Sequence, residues 1–332
     1  MWPLVKVFAV FVLIIVMLRQ KVGLGITMLV AAGVLGLLFG LGMVPLLQQM
    51  AVTLIDPATV VLITALVLIM ILESVMRKTG MLQAMTDSMF HLPWNPRILV
   101  AAIPAIIGFL PSAGGARFSA PLVAQATAGK PYRPEDKVFI NYWFRHVWEY
   151  SLPLYPGLIL AAHFSGIPLG TILLWQWPVS VIWAILGYWF VFRNYKRPGL
   201  DNGKELKPDH KDTRQSLRAL AANTWPIWTT VAMVLGSVPI VWSLSIVLFI
   251  LIVIKRHPLR FVRQTLREPL TRRIVFLTWG TMAFKDVLQA SGAVYQVSNA
   301  VAALGIPAVF IVILLPLVVG MLTGLVQACI GA

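Results

Sequence analysis

The chain alternates between long apolar stretches and short polar ones along nearly all of its 332 residues. A helix needs about 20 apolar residues to cross the hydrocarbon core of a bilayer. The pattern therefore predicts an all-α, multi-pass membrane protein. The stretches that we predict to be membrane-crossing helices cover residues 4–18, 22–43, 54–76, 138–162, 169–192, 224–240, 241–254 and 272–290.

One segment, GFLPSAGGARFSAP (residues 108–121), interrupts this pattern between two apolar arms. The arms, residues 98–109 and 116–128, each span about 18–20 Å as helices, which is short of a hydrocarbon core of about 30 Å. This predicts a re-entrant helical hairpin over about residues 97–128, with its tip near mid-membrane. Unpaired backbone is tolerated at that depth only when protein buries it or it lines a cavity.

Charge adds an orientation to this picture. The chain has 59% hydrophobic and 12% charged residues, a mean hydropathy of +0.84 and a net charge of +15. Of its 27 Lys and Arg residues, 23 lie in segments 19–21, 77–97, 129–137, 193–222 and 255–273. Basic loops remain cytoplasmic. We therefore expect a membrane protein with its N-terminus outside and with no nucleic-acid partner.

The two halves of the chain resemble each other when 212 is added to each residue number. This shift aligns IPAIIGFL with LPLVVGML, and it pairs Gly80 with Gly292, Pro104 with Pro316 and Gly108 with Gly320. By the charge pattern, the helices before the two hairpins run in opposite directions. The sequence therefore predicts two inverted repeats of transmembrane helices, each with a re-entrant hairpin.

These repeats define the predicted domains. Residues 1–192 form the first repeat, 193–223 a basic cytoplasmic linker, and 224–332 a second repeat whose hairpin begins at about residue 306. We expect the second repeat to be truncated at its C-terminus, as in a fragment of a longer protein. Inverted repeats with interrupted helices are typical of secondary transporters, whose binding site lies between the two breaks.

The segments FLPSAGGARFSAPLVAQA and INYWFRHVWEYSLPLYPGLILAA resemble an uncharacterised family of prokaryotic integral membrane proteins, a domain of unknown function. The likeness covers essentially the whole chain. This family is grouped with the ion-transporter superfamily of arsenite, sodium/proton, citrate and dicarboxylate carriers. The resemblance implies a location in the prokaryotic inner membrane and two inverted repeats of five helices and a hairpin, often with elevator-type movement. The Ser-Asn-Thr signature of dicarboxylate carriers is absent from both tips, so dicarboxylate or sodium binding is not carried over.

The first hairpin tip has the chemistry of an anion site. The start of a helix presents free N–H groups and about half a positive charge, and Arg117 adds a planar donor for carboxylate or phosphate. The predicted substrate-binding residues are Ser112, Gly114, Gly115, Arg117 and Ser119, with Thr323 and Gln327 from the second tip. Alternatively, Ser112 caps the helix, the glycines allow close packing and Arg117 pairs with a neighbouring acid.

A second polar group lies in NYWFRHVWEYSLPLYPG, residues 141–157. Asn141, Arg145 and Glu149 recur every four residues, which predicts one polar helix face with an Arg145–Glu149 ion pair. With His146 beside them, they are the predicted coupling or gating residues. The alternative is a structural ion pair that fixes the helix in its bundle.

Three minor elements are also predicted. Residues 81–90 fit a short interfacial helix, and a surface helix begins at about Thr213. Near the outer end of the last predicted crossing helix, Lys285 is expected to extend towards the interface and Asp286 to cap the helix.

These predictions together indicate a secondary active transporter of an anionic or polar small molecule, working by alternating access and coupled to a proton or sodium gradient. We expect no enzyme, no catalytic residue, no metal site and no cofactor apart from transported Na⁺ or H⁺. The expected partners are the lipid bilayer and a small-molecule anion, with a homodimer left open. Two alternatives are a membrane-embedded enzyme or lipid-processing protein that uses His146 and Glu149, and a non-transporting scaffold.

Overall fold

The computed structural model describes residues 2–110, 115–193, 210–255 and 260–303, together with Val309, Phe310, Ile313 and Leu317. Within these ranges the chain is helical and contains no β-strand. The helices are α1 Trp2–Arg19, α2 Leu24–Leu38, α3 Met43–Ile55, α4 Pro57–Lys78, α5 Met81–Phe90, α6 Pro96–Ile107, α7 Gly115–Ala126, α8 Pro134–Arg145, a 3₁₀ helix Val147–Tyr150, α9 Pro156–Ser165, α10 Leu169–Phe192, α11 His210–Leu235, α12 Ile240–Lys255, α13 Arg260–Arg267, α14 Pro269–Ala290 and α15 Ala293–Ala303.

Three of the described helices, α1, α4 and α10, are long and apolar enough to cross a membrane. Shorter apolar helices of 10–17 residues include α2, α3, α6, α9 and α12. The prediction of an all-α fold is confirmed, and the apolar helices are consistent with a membrane protein. The predicted short helix at residues 81–90 is also present, as α5.

The prediction of one continuous helix over residues 138–162 was wrong. Helix α8 ends at Arg145, the 3₁₀ helix covers Val147–Tyr150, and α9 begins at Pro156. Proline has no N–H to donate, so it interrupts a helix but is tolerated at the first helical position, which Pro156 occupies. Residues 141–149 therefore do not form the single α-helical face that their spacing predicted.

Two other boundaries differ from the prediction. Residues 44–53, predicted to connect two crossing helices, form most of a separate helix, α3, which runs from Met43 to Ile55. Helix α11 runs without interruption from His210 to Leu235, so the predicted surface helix and the start of the predicted crossing helix at residue 224 are one element. It also extends into the predicted linker.

The chain divides into two compact units, Met1–Val67 with Arg263–Ala332, and Leu68–Val262. In the first unit, α14 packs on α2 and α3. The two backbones approach closely at Gly25 and Gly280, since a Cβ atom built on Gly280 would lie 2.5 Å from the Gly25 carbonyl oxygen. Small residues at such crossings are typical of helix packing in membranes.

Asp286 lies inside α14 and does not cap it, because the helix continues to Ala290 and its C-cap residue is Ser291. Its carboxylate accepts a hydrogen bond of 2.7 Å from the Thr53 hydroxyl of α3 and lies 3.5 Å from the Lys285 ammonium. Asp286 therefore connects α14 to α3 through this hydrogen bond.

The second unit contains α6 and α7, which correspond to the two arms of the predicted first hairpin. Its core is formed by buried side chains of α5, α6, α8 and α10, among them Met89, Ile103, Ile140 and Phe192. Helix α6 packs on α7 and α8, and α10 packs on α8, α9, α11 and the 3₁₀ helix. This arrangement places the segment between α6 and α7 next to the segment between α8 and α9.

Candidate functional site

The chain is interrupted between α6, which ends at Ile107, and α7, which begins at Gly115. The last four carbonyls of a helix have no partner within the helix. At α6, the Trp148 indole N–H donates to the Ala105 carbonyl at 2.8 Å, and the buried Tyr155 hydroxyl donates to the Gly108 carbonyl at 2.5 Å. Trp148, in the 3₁₀ helix, and Tyr155, directly before α9, therefore stabilise the end of α6.

The end of α6 lies directly against the end of α8. A Cβ atom built on Gly108 would collide with the backbone carbonyl oxygen of Arg145, the last residue of α8. Only a glycine permits this approach without a shift of one backbone. The Arg145 side chain is buried at this junction, with 7% of the residue exposed.

One hydrogen bond joins the predicted binding residues to the predicted coupling residues. The Ser119 hydroxyl of α7 donates to the Asn141 side-chain oxygen of α8 at 2.5 Å, and both residues are buried. This hydrogen bond joins α7 to α8 in the interior of the second unit.

His146 and Glu149 form the second polar pair of this region. The His146 Nδ1 atom lies 2.5 Å from the Tyr142 carbonyl, so it carries a hydrogen and donates it. The Nε2 atom lies 3.9 Å from a Glu149 carboxylate oxygen, and both side chains are about one-quarter exposed, at 25% and 23%.

An open cavity of about 710 Å³ runs along α11 and is lined by Thr224, Trp225, Trp228, Thr229 and their neighbours on that helix. The Trp228 ring packs edge-on against the Phe109 ring, with the centroids 5.2 Å apart. Phe109 follows the end of α6, and its ring also packs on Trp148 at 5.1 Å. One residue of the cavity lining, Trp228, is therefore in contact with Phe109, which follows the end of α6.

The family described as protein of unknown function DUF401 has a model that matches residues 2–332. The chain belongs to this family. The resemblance to an uncharacterised family is thereby confirmed, while the relation to the ion-transporter superfamily is a proposal. A comparison with curated proteins gave no match.

In this DUF401 chain, the described residues cover only part of the predicted site. Ser112, Gly114, Thr323 and Gln327 lie outside them, as does most of the predicted second hairpin. Gly115 and Arg117 belong to the first turn of α7. Ser119 and the four predicted coupling residues lie together around α7, α8 and the 3₁₀ helix.

The predicted Arg145–Glu149 pair assumed one continuous helix, which the structure replaces with the end of α8 followed by the 3₁₀ helix. The Glu149 carboxylate lies 3.9 Å from His146 Nε2 and also interacts electrostatically with Arg145. Among the described residues, no group of three or more His, Cys, Asp or Glu side chains is placed to hold a metal ion.

Sequence analysis missed the roles of Gly108, Trp148 and Tyr155 and the cavity face of α11. The sequence contained a signal for Trp148 and Tyr155, because a buried Trp N–H or Tyr O–H needs a hydrogen-bond partner. Trp148 and Tyr155 therefore had to donate to some group in the protein. Which carbonyls they reach depends on the packing of α6 against α8.

Proposed function

We propose that this DUF401 member is a secondary active transporter of an anionic or polar small molecule, driven by a proton or sodium gradient and working by alternating access. The observation that carries this proposal is the interrupted backbone between α6 and α7, where Phe109 contacts Trp228, a lining residue of the open cavity along α11. Interrupted helices beside a cavity are the places where transporters bind substrates and coupling ions.

The bounds of the helices support two repeats. Helices α4 and α14 each have 22 residues and begin with a proline, Pro57 and Pro269, which are 212 residues apart. Gly80 and Gly292, also 212 apart, follow these helices with left-handed φ angles of +74° and +66°. Matching helix length, first residue and terminating glycine is what a duplicated unit would produce.

The packing of the helices supports the same proposal. A shift of 212 carries α1 onto α11 and α5 onto α15. Within one unit α5 packs on α11, and within the other α1 packs on α15. The pairs α5–α11 and α1–α15 are therefore equivalent under the shift. In each pair, one helix belongs to the first repeat and the other to the second. With the basic segments on the cytoplasmic side, the repeats run in opposite directions and the N-terminus lies outside.

We assign the anion to the start of α7. The free N–H groups of its first turn and the guanidinium of Arg117 would provide charge and hydrogen bonds for a carboxylate or phosphate group. Ser112 and Gly114 precede this turn in the sequence, and Gly115 is its first residue. An elevator-type movement of the unit that carries α6 and α7 would expose the site to each side in turn.

We assign proton coupling to His146 and Glu149. Their side chains lie 3.9 Å apart beside the end of α8, so a proton on the imidazole neutralises the charge of the carboxylate. Binding of an anion nearby would favour the protonated pair, because the added negative charge is stabilised by a positive imidazole. Substrate and proton would then move together.

The His146–Glu149 pair also favours an alternative function, that of a membrane-embedded enzyme or lipid-processing protein. An imidazole and a carboxylate at 3.9 Å can serve as acid and base in an enzyme. Turnover of a lipid substrate by the purified protein, lost on His146→Gln, would favour this alternative over transport.

Proteoliposome uptake tests the transport proposal. Vesicles that contain the purified protein are given an inward proton or sodium gradient, and uptake of radiolabelled citrate, succinate, phosphate and sulfate is measured. We expect gradient-driven uptake of at least one anion. Arg117→Ala should raise the KM for that anion, and Arg117→Lys should restore part of the affinity. Arg77→Ala, on an exposed arginine of α4, is the control.

Unchanged KM in Arg117→Ala would remove Arg117 from the binding site. Uptake that does not respond to either gradient would contradict secondary active transport.

A further inference from the structure

The segment between α8 and α9 carries the two residues to which we assign proton coupling, and it also holds the end of α6. Trp148 lies in the 3₁₀ helix directly before Glu149 and donates its indole N–H to the Ala105 carbonyl at 2.8 Å. Tyr155 directly precedes α9 and donates its hydroxyl to the Gly108 carbonyl at 2.5 Å. The proposed proton site and both donors that hold α6 therefore belong to one short stretch of the chain.

The bond between Tyr155 and Gly108 lies in a closely packed interior. Tyr155 is 7% exposed. The Gly108 backbone approaches the Arg145 carbonyl so closely that a Cβ atom would not fit. Phe109, the next residue, packs on the Trp148 ring with the centroids 5.1 Å apart. A hydrogen bond in such a site of low dielectric responds more strongly to a nearby charge than a hydrogen bond in water does.

The Tyr155 hydroxyl lies in the electrostatic field of Glu149. It interacts with the Glu149 carboxylate and, with opposite sign, with the Arg145 guanidinium. The charge of Arg145 is fixed, whereas a proton on His146 neutralises the charge of Glu149. A nearby negative charge disfavours negative charge on the phenol oxygen, so it makes the hydroxyl a weaker hydrogen-bond donor. Protonation of His146 should therefore strengthen the bond from Tyr155 to Gly108.

The other ionisable side chains around His146 and Glu149, the coupling pair, are mostly arginines and tyrosines. Besides Arg145, α8 and the 3₁₀ helix carry Tyr142, Tyr150 and, in the first turn of α8, the charged residues 135–137. The helices packed on these two elements carry Arg97 on α6, Arg117 on α7, His163 on α9 and Tyr188 on α10. Of the groups in these two lists, only His163 has a usual charge change between about pH 5 and 8. It lies in the last turn of α9, so a variant can separate its contribution from that of the pair.

We propose that Tyr155 is a positioning residue that transmits the protonation state of the coupling pair to the end of α6. When the pair is protonated, the stronger bond holds Gly108 and fixes the direction in which the chain leaves α6. When the pair is deprotonated, the weaker bond allows this end of the helix to open. Trp148 supports the Ala105 carbonyl in both states.

This link deepens the proposed function and rests on it for the roles of the pair and of the anion site. Coupling between two binding events is reciprocal. If protonation stabilises the end of α6, an anion that binds beyond this end and stabilises it must favour protonation of the pair. Proton and anion would then be bound by the same conformation, as symport requires. The link between the pair and α6 can nevertheless be measured without any substrate.

Hydrogen–deuterium exchange of the purified protein in lipid nanodiscs tests this link. The reporters are the amides of Gly108, Phe109 and Leu110, which donate to carbonyls of the last turn of α6. Their protection is measured relative to the intrinsic exchange rate at each pH. We expect this protection to be several-fold higher at about pH 5 than at about pH 8.

Variants of the coupling pair give the origin and the sign of the effect. His146→Gln should remove the difference between the two pH values, whereas His163→Gln should retain it. Glu149→Gln has no negative charge at any pH and should show the high protection at both ends of the range. A variant that merely loosened the region would show low protection instead.

Two further variants separate transmission from support. Tyr155→Phe keeps the ring but removes the hydroxyl, so protection should be low and independent of pH. Trp148→Phe removes the bond to Ala105 and should lower protection by a similar factor at every pH, leaving the pH difference intact. Tyr295→Phe, at a 72% exposed position of α15 in the other unit, is the control. Size-exclusion profiles and circular dichroism identify folded variants, and the variants of the pair decide if Tyr155→Phe does not fold.

Protection that is independent of pH in the unaltered protein, or a pH response that survives in folded Tyr155→Phe, would overturn the proposal. Loss of the response in Trp148→Phe would also overturn it, because any damage at the end of α6 would then remove the response. Failure of the proposed function gives a different result, namely a pH response of these amides without gradient-driven uptake. Gradient-driven uptake without the pH response would retain transport and reject the link.

Discussion

Gly108 is the residue on which the contact between α6 and α8 depends. A methyl group at this position would collide with the Arg145 carbonyl oxygen, and overpacking of this kind costs about 1–3 kcal/mol. We predict that Gly108→Ala lowers the thermal unfolding temperature of the purified protein. Gly33→Ala is the matched control, because no atom lies within 4 Å of a Cβ at that helical position. If both variants unfold at the same temperature, the two helix ends are not in contact.

Lys130, in the loop between α7 and α8, offers a pH measurement outside the membrane-spanning segments. Partial burial lowers the pKa of its ammonium group from the usual value of a lysine, because the charged form loses solvation. A larger fraction of the amine is therefore neutral and reactive at a given pH. We predict that the rate of acetylation at Lys130, followed by mass spectrometry of the digested protein, reaches half its maximum at a lower pH than a free lysine side chain. A midpoint at or above that of free lysine would contradict the burial.

The residues of the candidate site were only partly predictable. Sequence analysis grouped Asn141, Arg145, His146 and Glu149, since they lie in one polar stretch of an apolar run. It paired Glu149 with Arg145 because residues four apart adjoin on an α-helix. In the 3₁₀ helix the turn is tighter, and residues three apart adjoin. This brings His146 beside Glu149.

At the scale of the helices, hydropathy predicted α10 at residues 169–192 and placed α4 within three residues of its observed ends. Hydropathy did not predict the interruption within residues 138–162, because an apolar run reports only the preference of its side chains for lipid. The interruption there is decided by Pro156 and by hydrogen bonds from Trp148 and Tyr155 to α6. Those bonds join residues more than 40 positions apart, which periodicity does not detect.

The crossing of α2 and α14 gives a prediction for a pair of helices. A Cβ atom on Gly280 would lie 2.5 Å from the Gly25 carbonyl oxygen and 3.1 Å from the Met28 Cβ atom. We predict that Gly280→Val separates these helices and lowers the unfolding temperature, whereas Gly33→Val, on the open side of α2, has a smaller effect. Equal effects would show that helix propensity, and not close approach, determines the result.

At the scale of the whole molecule, the proposed topology rests on the distribution of basic residues and on the similarity of the two halves of the chain at a shift of 212 residues. In the proposed topology, residues 97 and 130 lie on the same side of the membrane. The 12-residue helices α6 and α7 are each about 18 Å long, shorter than a hydrocarbon core of about 30 Å. The central claim is that the chain between them turns inside the membrane, so that backbone amides at the start of α7 are available to an anion.

Labelling of single cysteines from either side of the membrane tests this claim most directly. In a Cys329→Ala background, Ala113→Cys is compared with Ile167→Cys, in the predicted outer loop, and with Glu135→Cys, at the predicted cytoplasmic end of α8. A membrane-impermeant maleimide is added to right-side-out and inverted vesicles. We predict that Ala113→Cys reacts far more slowly from outside than Ile167→Cys, while Glu135→Cys reacts only in inverted vesicles. Rapid labelling of Ala113→Cys from outside, at the rate of Ile167→Cys, with no labelling in inverted vesicles would mean that residues 97–130 cross the membrane twice and would contradict the account.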